Sequence, residues 1–204
     1  MKRLFTLLTF VLCAVFSGYA QVEPLNYIEA ELSENPDTDF IYRLPYQLGT
    51  KATAVKISHI EAKHLPPDNL VNFRAYEFRF KENTDICAAR SGKVLLVDWP
   101  KVQIQHSDGT VAEYNALEQH TICVAVGDEV NIGDKIGESG YSLFSEYEDV
   151  VTFELYHRQK NSIQEGFRAR IPVLNHYLEP LFKSQKGVKP LRDMKRYKAK
   201  KINK

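Results

Sequence analysis

Apolar residues recur at every second position through much of the middle of this chain. In NFRAYEFRF (72–80), Phe73, Ala75, Glu77 and Arg79 fall on one face of an extended strand and Tyr76, Phe78 and Phe80 on the other. KVLLVDW (93–99) reads as a buried or half-buried strand. KVQIQHSDGTVAEYNAL (101–117) reads as a hairpin, with Ser107-Asp108-Gly109 supplying the positive-φ turn. TICVAV (121–126) and VVTFELYH (150–157) continue the series, and GFRARIPVLNHYLEP (166–180) closes it. Between them, VAVGDEVNIGDKIGESG (124–140) sets short apolar runs between Gly-Asp and Gly-Glu turns. Upstream, 41–58 predicts two short strands around Pro45 and Gly49, and 59–70, with Pro66-Pro67, a loop. Residues 21–40 are acidic and read as a weakly packed leader with one helical turn. No convincing amphipathic helix precedes residue 174. The pattern predicts an all-β fold, an antiparallel β-sandwich or barrel-sandwich hybrid core over 71–182, with an N-terminal extension over 21–70.

The first twenty residues stand apart. MKR is followed by a run of thirteen apolar or hydroxyl residues, LFTLLTFVLCAVF, and then by SGYA. This is the form of a signal peptide cleaved after Ala20, and the run is short of the ~20 residues a membrane span needs. Leu12 before Cys13 argues against lipidation. The expected protein is secreted, periplasmic or extracellular, with no membrane span after cleavage and no nucleic-acid partner.

Net charge of +1 conceals a division. Residues 183–204 hold ten Lys or Arg against Asp193 alone, whereas 21–182 is acidic. The expectation is a basic C-terminal tail: a solvated end, a segment that docks onto the acidic body, or one that contacts anionic envelope polymers. Cys87 and Cys123 form an even pair; a disulfide and two free thiols both remain open, because bridging geometry is not written in sequence.

DICAARSGKVLLV, IQHSDGTVAEYNAL, VAVGDEVNIGDKIGESG and TFELY, in this order, resemble the β-sheet core of lysostaphin/LytM-type zinc endopeptidases, which cut peptidoglycan cross-links. The turn run alone also resembles lipoyl and biotinyl carriers, which lack the AARSGKV and HSDGT segments. The resemblance implies a zinc held by an early His and Asp and by the second His of a late H-x-H. Further His residues, in that H-x-H and in a Y-x-H-L segment, would serve the reaction. Zinc in such a site lowers the pKa of its water to ~7.

Aligned on those motifs, Val150 and Thr152 stand in the late pair, Ala116 of Tyr114-Asn115-Ala116-Leu117 stands for the third His, and Glu77 for the Asp. The early His has no clear counterpart; His59 and His64 are nearest. His157 is five residues past Thr152, on the opposite strand face and about 16 Å along. A substitute site from Glu77, His64 and His120 would make the chain an active zinc endopeptidase. Glu77 alternatively pairs with Arg79 on its own strand face.

The reading that follows is an inactive member of the type, with neither zinc nor another cofactor, that binds peptidoglycan or a wall hydrolase. Its groove would be Glu77, Tyr114, Ala116, Val150 and Thr152, bordered by Tyr141, Phe144 and Tyr147 of the 141–149 loop. Those aromatics alternatively pack over the sandwich edge.

Overall fold

A computed structural model describes residues 27–33, 35–57, 74–142, 145–160 and 173–201. The strands are β1 (Ile41–Arg43), β2 (Lys51–Ile57), β3 (Ala75–Arg79), β4 (Asp85–Cys87), β5 (Gly92–Asp98), β6 (Lys101–Gln105) and β7 (Val111–Asn115). They continue as β8 (Glu129–Val130), β9 (Lys135–Glu138), β10 (Val150–Lys160), β11 (Val173–Tyr177), β12 (Leu181–Ser184), β13 (Gly187–Lys189) and β14 (Lys195–Lys198). The segments 1–26, 59–70 and 161–172, and Phe144, lie outside the described residues.

The alternation read from the sequence becomes a nine-stranded sheet in the order β14-β2-β3-β10-β7-β6-β5-β8, with β11 also on β10. Its pairings are antiparallel. Residues of even parity on β3 (Tyr76, Phe78) and odd parity on β10 (Val151, Phe153, Leu155) enter one core. Two small sheets supply its other side: β4-β9, and β1-β12-β13, in which β1 and β12 run parallel. Tyr42 and Leu44, Ile86, Ile136 and Phe182 come from these small sheets or beside them. The architecture is an all-β sandwich, not a closed barrel, since β14 and β8 end the large sheet.

Phe182 is the aromatic centre of the core. Its ring meets Tyr42, Tyr76, Phe78 and Phe153 edge-on at 5.5–6.3 Å between centroids, the arrangement aromatic quadrupoles favour. The 106–110 hairpin is as sequence predicts, with Gly109 at φ 79°. Arg90 and Thr110 bind the Asp108 carboxylate there, and Arg90 stacks on Phe40 at 3.7 Å.

Residues 183–201 pack on the body of the chain rather than forming a solvated end: β14 adds an edge to β2, and Leu191, Tyr197 and Ala199 are buried. Tyr46 Oη donates to the Tyr197 carbonyl at 2.9 Å, and the Leu191 N–H donates to Tyr76 Oη at 3.0 Å. Across the expected start of the core at 71, β2 pairs directly with β3. The leader from Tyr27 is extended, without a helical turn among its described residues; Ser33 donates to the Asp108 carbonyl and accepts from or donates to neighbours on β10.

The segment 121–126 is not a strand. It follows a 3-10 turn at Gln119–Thr121 and touches β9 through isolated bonds, such as Cys123 N–H to the Ile136 carbonyl. That arrangement also decides the cysteines, which are free. Cys87 is in register with Lys135 from one side of β9, and Cys123 binds β9 from the other. Two strand spacings, about 9.5 Å, exceed the ~7 Å Cα separation a disulfide spans.

Two expected outcomes follow from this packing. A chain ending at Phe182 loses β14 and the partners of Tyr46 and Tyr76, so its Tm should fall by about 10 °C or more relative to the full chain. An unchanged melting curve would show that β14 is dispensable. His106, buried with Nδ1 on the Ser91 carbonyl at 2.9 Å, has its pKa lowered to about 4, chiefly by burial. The unfolded chain takes up this proton near the usual value of about 6.5, so stability is full above that pH and is lost as pH falls toward 4. The loss should be about 3 kcal/mol in urea unfolding and should vanish in His106→Gln.

Candidate functional site

Strand β10 hydrogen-bonds to β3 on one side and β7 on the other. The two registers place Thr152 opposite both Glu77 and Asn115, and Val150 opposite Arg79. Because side chains alternate, Val150, Thr152, Glu77 and Arg79 share the face turned away from the core. Ala116 follows Asn115 with φ 65°, a left-handed residue that ends β7. The Gly140 N–H is shared between the carbonyls of Ala116 (2.9 Å) and Val150 (3.2 Å). A Cβ at 140 would lie 2.8 Å from the Glu118 nitrogen, so only glycine permits this approach.

Four of the sequence-predicted positions, Glu77, Ala116, Val150 and Thr152, are thus brought to one end of the sheet. Tyr114 is not among them. It faces the core, fully buried, and accepts the Ala89 N–H at 2.7 Å through its hydroxyl. Tyr141 and Tyr147 border the site and are exposed. Phe144 lies outside the described residues.

The floor is closed rather than open. Val150, Ala116 and Glu77 are all buried. The Glu77 carboxylate takes Arg79 Nε at 2.5 Å and Ser145 Oγ at 3.3 Å, the ion pair expected from their spacing plus a loop contact. The Arg79 guanidinium lies 4.4 Å from the Tyr147 ring, and the Tyr147 N–H donates to Ser145 Oγ. The loop thereby folds onto the Glu77 carboxylate. Further along the same face, Glu154 stands opposite Glu113. Burial, with Glu113 across the strands, raises the Glu154 pKa against the opposing Arg74, whose Nε is 3.3 Å away.

These donors do not fit a zinc ion. Val150 and Ala116 carry no ligand atom, and the Asn115 amide oxygen is engaged by the Ala116 N–H at 2.7 Å. Glu77 is held by a cation, which a metal would have to displace. Among the described residues no three His, Cys, Asp or Glu gather as a metal would require. The substitute set named from sequence includes His64, which lies outside the described residues.

Sequence reasoning missed Trp99. It occupies the β5–β6 turn, and its Nε1 donates to the Leu117 carbonyl at 3.0 Å, next to Ala116. The signal was DWPK, a large aromatic at a hairpin tip where small turn residues are usual.

Residues 72–164 match peptidase family M23. The match covers less than half of the chain. No curated protein matches the chain. Among solved structures, it is similar to pseudoalterin, described as a novel M23 metalloprotease from deep-sea, at 16% identity over 78% of this chain and 95% of that one, with a TM-score of 0.47. A chain from the SpoIIIAH and SpoIIQ complex is 22% identical over 56% and 90%, with a TM-score of 0.44. The catalytic domain of lysostaphin from Staphylococcus simulans is 22% identical over 58% and 78%, with a TM-score of 0.38. No helix among the described residues is long and apolar enough to cross a membrane.

The Glu77–Arg79 pair yields a stability prediction. Arg79→Met leaves a buried carboxylate with Ser145 alone and should cost about 3 kcal/mol, while Glu77→Gln combined with Arg79→Met should recover most of it. Urea unfolding of both variants checks this; equal losses would show that the pair is not what holds the loop.

Proposed function

We propose that the chain is a secreted, catalytically inactive M23-type domain that binds cell-wall peptidoglycan through the rim of its closed site. The observation that carries this reading is the capture of Glu77 by Arg79 and Ser145, where a cleaving site would need a free ligand. Hydrolysis of an amide in this geometry would require a metal-activated water and donors for the developing oxyanion. Val150 and Ala116 offer neither.

The rim favours binding. Trp99 is 55% exposed, Tyr141 58% and Tyr147 44%, all at the end of the sheet where Ala116, Gly140 and Val150 meet. Trp99 is anchored through its N–H and Tyr147 by the Arg79 contact, so these rings lose little freedom on docking. Aromatic rings of this kind suit the sugar and alkyl faces of a wall polymer; a wall hydrolase is the other partner class for the same rim.

The test is co-sedimentation of the protein with purified peptidoglycan sacculi, beside metal analysis and assay of released muropeptides. Binding should fall about 10-fold in Trp99→Ala, with no muropeptide release in the presence of zinc. Stoichiometric zinc with cleavage abolished by Glu77→Gln would overturn the reading. Binding to a wall hydrolase but not to sacculi would transfer it to the second partner.

A further inference from the structure

A second cleft lies at the β14 margin of the large sheet. It has a volume of about 470 Å³ and is formed by the turn before β2, the β3–β4 connection and Arg196 of β14. Three cations, Lys51, Lys81 and Arg196, line it against one acid, Glu82, with Thr50 and Asn83 adding hydrogen-bonding groups. Among the described residues, none of these three cations takes part in an ion pair. Ala199 N–H to the Thr50 carbonyl and Gly49 N–H to the Ala199 carbonyl, both at 3.1 Å, hold the two walls together.

The excess of positive charge extends beyond the cleft. Lys198 stands directly opposite Lys51 in the β14–β2 pairing. Like charges so placed cost stability. Charge on an edge strand guards against strand addition, which accounts for the cations of β14 itself. It does not account for Lys51 on the next strand inward or for Lys81 in a loop. Tyr197 and Ala199 are buried, so Arg196, Lys198 and Lys200 share the other face at intervals of about 7 Å.

We infer that this cleft binds the phosphates of a phosphodiester-linked polymer. An arginine fork beside two ammonium groups matches phosphate oxygens in geometry and charge. Cations repeating every second residue suit a ligand that repeats its phosphate. The recess accepts a chain, whereas a flat bilayer would meet its rim. The inference is independent of the groove: it stands whether or not the aromatic rim binds peptidoglycan.

Fluorescence anisotropy with labelled poly(glycerol phosphate) tests it, with dextran of similar length as a neutral control and phosphatidylglycerol vesicles as a membrane control. The full chain should bind the phosphate polymer and not dextran, and more weakly at higher salt. Replacing Lys51, Lys81 and Arg196 together by Gln should weaken binding at least 10-fold. Lys93→Gln, on strand β5 at the far side of the sheet, should leave it unchanged. Glu82→Gln, which removes the cleft's acid, should tighten binding and serves should the triple variant fail to fold. Equal loss in Lys93→Gln, binding to vesicles alone, no binding to any probe, or no gain in Glu82→Gln would each overturn the inference.

Discussion

Strand β10 is paired on both sides, and its register with β3 and β7 governs the rest of the structure. An eleven-residue strand held by two ladders cannot slip by one residue without turning its core side chains, Val151, Phe153 and Leu155, toward solvent. Phe153 meets Phe182 and Tyr42 of the small parallel pair, so the sheet's face and the sandwich's second layer are fixed by the same interaction. The opposite face follows by alternation. Val150 and Thr152 are committed to the neighbourhood of Glu77 and Arg79 whatever chemistry occurs there.

That commitment separates scaffold from site. Apolar burial on the core side of β10 is indifferent to which residues occupy positions 150 and 152. The sheet core therefore places no demand on the outward positions, and here the space beside them is taken up by the chain itself. Gly140 ties the ends of β7 and β10 together, and Ser145 and Tyr147 fold the following loop over Glu77 and Arg79. Closure by backbone and loop buries the floor, while Trp99, Tyr141 and Tyr147 stay exposed.

Much of this was legible in sequence because it rests on period-two alternation. The faces of β3, the hairpin at Asp108-Gly109 and the Glu77–Arg79 pairing all follow from residues two apart on one strand. Tyr114 was misplaced because it was read together with Ala116, whereas the left-handed backbone at Ala116 breaks the strand between the groove and the core; nothing in Tyr-Asn-Ala-Leu announces that φ. The 183–201 segment misled for another reason. An edge strand buries one residue in two, and the lysines between Leu191, Tyr197 and Ala199 made a folded margin look like a solvated end. Whether Cys87 and Cys123 meet was open in sequence: β9 runs between them, and the intervening strand is set by turns at Gly127 and Gly133 that do not specify a neighbour.

The margins of the large sheet carry one more consequence. At one side β8 spans only two residues, too short to template another strand, and at the other β14 offers Lys195, Arg196 and Lys198. A second molecule adding a strand there would bring its own row of positive charge against this one. Length on one flank and charge on the other thus disfavour extension of the sheet by a second copy.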